Sequence, residues 1–149
     1  ETGRVGPLPE ASTLPRDFSF DAIRIYWRIA LDCRLHRRLR ACADPGRSSE
    51  LVALLARDGR FYQRYSLKGE VLDRGESTSF YGALLPAFAL WAPATAEAIL
   101  DAHLRAGQLD RIARSAERYY DLNWTWFGIA AWTGLIAERT PPPEAIAGE

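Results

Sequence analysis

The chain has 149 residues, 48% of them hydrophobic and 26% charged, enough for one compact domain that buries roughly two thirds of its unfolded surface and too apolar for a disordered segment. Its 19 Lys and Arg residues balance 19 Asp and Glu residues, so no net field draws it to nucleic acid or to an anionic membrane, and a neutral partner is expected. Two cysteines, Cys33 and Cys42, and two histidines provide neither a disulfide framework nor metal-ligand spacing. No metal or cofactor is implied, and Cys33 and Cys42 are not expected to pair.

Residues 1–17, with Gly3, Gly6, Pro7, Pro9 and Pro15, read as an extended lead-in. It lacks the charged-then-apolar pattern of a leader, so any targeting segment is expected to have been removed or to lie on other sequence. Ser19 is a suitable N-cap for a helix from Phe20 to Leu35, and Asp21 suits the positive end of its dipole. Ala22, Ile23, Ile25, Tyr26, Trp27, Ile29, Ala30 and Leu31 spread over several faces, which predicts burial nearly all round. A basic stretch, Arg34 to Arg40, leads into a turn at Asp44-Pro45-Gly46 and reads as a solvated helix end rather than a nucleic-acid contact. Ser48 can cap a short helix to about Arg57, with Leu51, Leu54 and Leu55 on one face.

Phe61 to Tyr65 and Gly69 to Asp73, joined by Ser66-Leu67-Lys68, predict the single hairpin. Ser77 opens a second strongly apolar helix through Phe80, Leu84, Leu85, Phe88 and Trp91, with Pro86 expected to kink it. Pro93 starts the next. Residues 94–106 and 108–118 predict two thinner amphipathic helices split at Gly107. A last helix, Leu122 to Glu138, is apolar all round, and Pro141 to Pro143 close the fold. No apolar run reaches the ~20 residues a membrane span requires.

Three all-round apolar helices thus alternate with thinner amphipathic ones, as inner and outer layers of an α/α toroid would. A four-helix bundle would show equal amphipathicity instead. The fold class expected is all-α, part of a toroid over residues 18–139 with one small β-hairpin, followed by a tail at 140–149. Inner helices of a toroid run parallel, so Asp21, Ser77-Thr78 and Tyr119-Tyr120-Asp121 are expected along one rim.

The most specific motif is Phe18-Ser19-Phe20-Asp21-Ala22-Ile23-Arg24-Ile25-Tyr26, which resembles the Tyr-Asp-Ala-x-Arg signature of glycoside hydrolase family 8. Ser79-Phe80-Tyr81-Gly82-Ala83-Leu84-Leu85-Pro86 and Tyr119-Tyr120-Asp121 through Trp126-Phe127-Gly128 are similar to that family's later helices in order and character. The resemblance covers residues 16–137, the C-terminal part of an (α/α)6 toroid. It implies inverting hydrolysis of β-1,4 bonds in a glucan-type polysaccharide, with xylan, chitosan and mixed-linkage glucan used by some members. Inversion needs two carboxyl groups roughly 6.5–9.5 Å apart, leaving room for a water.

In one subgroup of that family the Asp of this motif is the base, so the resemblance implies that role for Asp21, with Arg24, one helical turn on, holding it. Spacing alone favours an ordinary first-turn acid with a helical Arg neighbour, and the resemblance reverses that preference. Phe20 stands where the family usually carries Tyr, which removes a hydroxyl near the base. The family's acid Glu and a sugar-binding Asp belong upstream of the matched region, so the chain is expected to supply the base but not the acid. Glu76, followed by Ser77 and Tyr81-Gly82, superficially mimics the acid motif, but it follows the base and is expected to be a first-turn Glu favoured by the helix dipole.

Sugar rings stack on aromatic faces, so Trp27, Tyr119, Tyr120 and Trp124 are candidates for substrate contact, whereas Trp91, Trp126 and Trp132 are expected in the core. The cysteines lack the His and Asn partners of a thiol hydrolase. The alternative to an enzyme is a helical carbohydrate-binding or scaffold module without turnover. Polymer substrates imply a secreted or periplasmic protein. The flanks of a partial toroid would be apolar and exposed, favouring self-association.

Overall fold

A computed structural model of the chain describes residues 16–36, 42, 45–104, 110, 114 and 118–136. Residues 1–15 of the lead-in expected over 1–17, the basic residues 37–40, nearly all of the helix expected at 108–118 and the tail lie outside the described residues. The described residues are mostly helical, with a small antiparallel sheet.

The sheet has three strands rather than two, in the order β1 (Asp17–Phe18), β2 (Arg64–Ser66), β3 (Val71–Asp73). β2 and β3 are the expected hairpin, trimmed at its start. The N–H of Phe61 donates to the Tyr81 hydroxyl (3.1 Å) and that of Tyr62 to the Tyr65 hydroxyl (2.9 Å), so tyrosines take the donors a ladder would have used. β1 adds to the other edge, Asp17 opposite Ser66 and Phe18 opposite Tyr65. An Arg64–Asp17 ion pair of 2.7 Å and the Phe18 ring against Tyr65 and Phe80 hold it there. A two-residue strand is too short to show alternation and is invisible to a periodicity argument.

α1 (Phe20–His36) begins where Ser19 offers its carbonyl to the N–H groups of Ala22 and Ile23. α2 (Ser49–Asp58) follows a 3-10 turn (Pro45–Ser48) and ends at Gly59 in the left-handed region. Ser48 occupies the N-cap position as expected, but its side chain makes no capping bond. α3 (Thr78–Trp91) starts on Ser77, whose hydroxyl accepts from the Ser79 N–H, the expected cap. α4 (Pro93–His103) begins with Pro93 in its first turn. α5 (Tyr119–Thr133) is stopped by Gly134, with φ 83°, five residues before the expected end. The apolar run continues past Gly134 and conceals this left-handed C-cap.

Of the three helices expected to be buried all round, only α3 is: every residue from Ser79 to Phe88 is buried. It is wrapped by α1, α4 and α5. On α1, Ile25 is 55% exposed, and on α5 Trp126 is 56% exposed, which removes Trp126 from the expected core. Pro86 lies inside α3 and has no N–H to give the Gly82 carbonyl one turn earlier. That carbonyl lies against Gly128 of α5, where the two helix backbones touch.

The contacts fix helix directions. Phe20 meets Phe80 at the start of α1 and α3, and Ala30, Leu31 and Arg34 share an apolar cavity of about 420 Å³ with Pro86, Ala89 and Leu90 at their ends. Asp121 meets Ser77 and Ser79 at the start of α5, and Ala131 and Trp132 reach the same cavity. α1, α3 and α5 therefore run parallel with their N-termini at one rim. α4 returns antiparallel, bringing His103 back over Tyr81.

Cys33 and Cys42 form a disulfide with Cα atoms 5.4 Å apart, contrary to expectation. Cys33 is buried on α1, 4% exposed, and the Trp91 indole N–H donates to the Cys42 carbonyl at 3.2 Å, holding Cys42 within bonding reach. Composition counts cysteines but does not reveal such a crossing.

Candidate functional site

Three helix N-termini meeting at one rim bring the positive ends of three helix dipoles together there. At this rim lies a cleft of about 530 Å³ lined by Phe20, Asp21 and Arg24 of α1, Gln63, Ser77 at the cap of α3, and Arg118, Tyr120 and Asp121 at the start of α5. The expected juxtaposition of Asp21, Ser77 and the Tyr120-Asp121 pair is therefore present.

The Asp21 side chain is 87% exposed and paired with Arg24 one turn on. An exposed carboxylate at a helix start, oriented by a guanidinium, can accept a proton from a water in the cleft. Phe20 packs edge-on against Phe80 (5.5 Å) and Tyr120 (5.4 Å). The Tyr120 hydroxyl donates to the backbone carbonyl of Phe20 at 3.2 Å. Partial burial pushes the Tyr120 phenol above its ordinary value, keeping it a donor.

Not every expected contact residue reaches the cleft. Trp27 lies two turns below the rim, its indole N–H donating to the Phe127 carbonyl at 3.3 Å and its ring edge-on to Trp124 at 5.9 Å. Both tryptophans pack α1 against α5. Tyr119 is 74% exposed beside the cleft and is not among its lining residues. Gln63, Arg118 and Asp121 line the cleft without having been expected as site residues. The signal for Asp121 was its place after Tyr119-Tyr120, but its partner Ser77 is 44 residues away and no local pattern links them.

Glu76 is not a first-turn residue. Ser77 is the N-cap, so Glu76 precedes the helix, and side chains hold its carboxylate: the Tyr81 hydroxyl donates at 2.6 Å, Arg60 lies at 3.2 Å and His103 Nδ1 at 3.5 Å. The His103 ring stacks on Tyr81 at 3.9 Å. Burial, with the Glu76 bond adding to it, raises the Tyr81 phenol. Burial lowers His103, outweighing the attraction of Glu76.

A histidine that binds its proton less well folded than unfolded contributes stability above its unfolded value of 6.5, and that stability is lost as pH falls toward the lower folded value. Thermal melts should therefore show the wild-type chain losing more stability between pH 7.5 and 5.5 than His103→Gln. Equal losses would reject this account.

Among the described residues, no group of three or more His, Cys, Asp or Glu is placed to hold a metal ion, and no helix is long and apolar enough to cross a membrane. Comparison of the chain with protein-family models, curated proteins and solved structures finds no match in any of them.

Proposed function

We propose that the cleft at the rim of α1, α3 and α5 binds a β-1,4-linked glucan-type polysaccharide, and that Asp21 serves there as the general base of an inverting glycoside hydrolase resembling family 8. The observation that carries this reading is the convergence of Asp21, Arg24 and Tyr120 on one cleft, formed by parallel helices that present their N-termini together. A base must reach a water, and the Asp21 carboxylate is exposed at the cleft with Arg24 beside it. The fold proposed is part of an (α/α)6 toroid, with α1, α3 and α5 as inner helices and α4 as an outer one. A secreted or periplasmic location follows from a polymeric substrate and is supported by the Cys33–Cys42 disulfide.

One observation favours the second reading, a carbohydrate-binding module without turnover. The other carboxylate among the described cleft residues, Asp121, is engaged by Ser77 and Ser79. An acid has to reach the leaving oxygen, and this carboxylate is instead tied to the buried serines at the start of α3. The acid of the hydrolase reading therefore comes from outside these cleft residues.

Both readings require sugar at the cleft. Cellohexaose titrated into the chain should perturb the NMR resonances of Arg24, Tyr120 and Asp21 while leaving those of the apolar cavity at the opposite end unmoved. Perturbation elsewhere, or none, would overturn both.

A further inference from the structure

Asp121 stands in the first turn of α5, where an acidic residue ordinarily serves its own helix. Its Oδ1 instead accepts from the Ser77 hydroxyl and from the backbone N–H of Ser79 (3.3 Å), both at the start of α3. Ser77 and Ser79 are buried, 4% and 0% exposed, and their hydroxyls lie 2.5 Å apart. A serine hydroxyl has a single proton. Since Ser77 gives its proton to Asp121, Ser79 must be the donor to Ser77, and a directed chain runs from Ser79 through Ser77 to the carboxylate. Removing the acceptor leaves buried hydroxyls and an N–H to find new partners, a costly change in a dry environment.

The consequence appears one residue earlier. Tyr120 precedes Asp121 and crosses to α1, its hydroxyl on the Phe20 carbonyl and its ring edge-on to Phe20. The height at which α5 docks on α3 therefore decides whether the Tyr120 ring reaches Phe20 and the cleft beside Asp21. We propose that Asp121 is a positioning residue of the cleft: anchored to the start of α3, it sets the first turn of α5 so that Tyr120 forms the aromatic wall against which a sugar ring of a β-1,4-glucan packs. The assignment of the wall to a sugar rests on the function proposed above; the positioning of Tyr120 does not.

The test uses the chain with Asp121→Ala, Asp121→Asn and Ser77→Gly. The last removes the hydroxyl while leaving a residue tolerated at an N-cap, and so keeps the test available where Asp121→Ala does not fold. Two quantities are read: the nuclear Overhauser contact between the Phe20 and Tyr120 rings without sugar, and the affinity for cellohexaose. Asp121→Ala and Ser77→Gly should weaken or abolish the ring contact and lower affinity about tenfold. Asp121→Asn retains an acceptor oxygen and should restore both. A folded Asp121→Ala or Ser77→Gly with the ring contact intact overturns the proposal, whatever the sugar does. Lost contact with unchanged affinity overturns the sugar wall. A wild-type chain that shows the ring contact but does not bind cellohexaose refutes the proposed function, and the ring contact in the variants still decides whether Asp121 positions Tyr120.

Discussion

Gly128→Ala should lower the thermal midpoint by about 5 °C, although alanine favours a helix interior by about 1 kcal/mol over glycine. A Cβ at Gly128 would lie 2.6 Å from the carbonyl carbon of Gly82, 2.9 Å from its Cα, and closer still to its oxygen. All three are backbone atoms of α3, so no side chain can swing aside, and the helices must part along the seam they share. Overpacking of this kind costs typically about 1–3 kcal/mol, more where backbone must shift, which outweighs the gain in propensity. The reciprocal change, Gly82→Ala, meets Thr125 Cα at 2.5 Å and Thr125 N at 2.7 Å and should behave alike. Calorimetry of both variants decides the matter; an unchanged or raised midpoint would mean that the seam is looser than described.

On the hydrolase reading proposed above, Asp21→Asn should reduce hydrolysis by about 10²–10⁴, the usual contribution of a positioned general base, when measured in a protein that supplies the acid as well. Cellohexaose affinity should stay within about threefold, because an amide keeps the shape and one acceptor of the carboxylate. Loss of turnover with binding retained separates a base from a binding group. Turnover equal to wild type would remove Asp21 from that role, and loss of binding alone would place it among the sugar contacts.

Much of this architecture was legible because local chemistry and global packing agree. Ser77 is buried at the start of an apolar run, and its hydroxyl caps α3 as its type and position suggest. Pro93 and the Ser66-to-Lys68 turn likewise lie where their backbone preferences place them. The misreadings have a common origin in counting hydrophobic residues without knowing what faces them. α1 and α5 are as aromatic and aliphatic as a buried helix, yet α3 takes the centre and leaves Ile25 and Trp126 in solvent. The strand at Asp17–Phe18 gains meaning only once Ser66 and Tyr65 present an edge to it. The site divides in the same way: Asp21 and Arg24 are one helical turn apart and readable together, whereas Asp121, Ser77 and Phe20 meet only through tertiary packing.

The shared direction of α1, α3 and α5 has a consequence for how the cleft comes into being. Parallel neighbours cannot be joined by a tight turn, so contacts that close the rim link residues far apart in sequence. The bond from Tyr120 to Phe20, like that from Trp27 to Phe127, spans 100 residues. Bringing such ends together costs roughly 4 kcal/mol of chain entropy, while α3 and α4 need only Ala92 between them. During synthesis, α1 is made long before its aromatic partner on α5 exists. The antiparallel pair of α3 and α4 can form early, and the rim that gathers Asp21, Tyr120 and Asp121 is closed only when the last helix has been made.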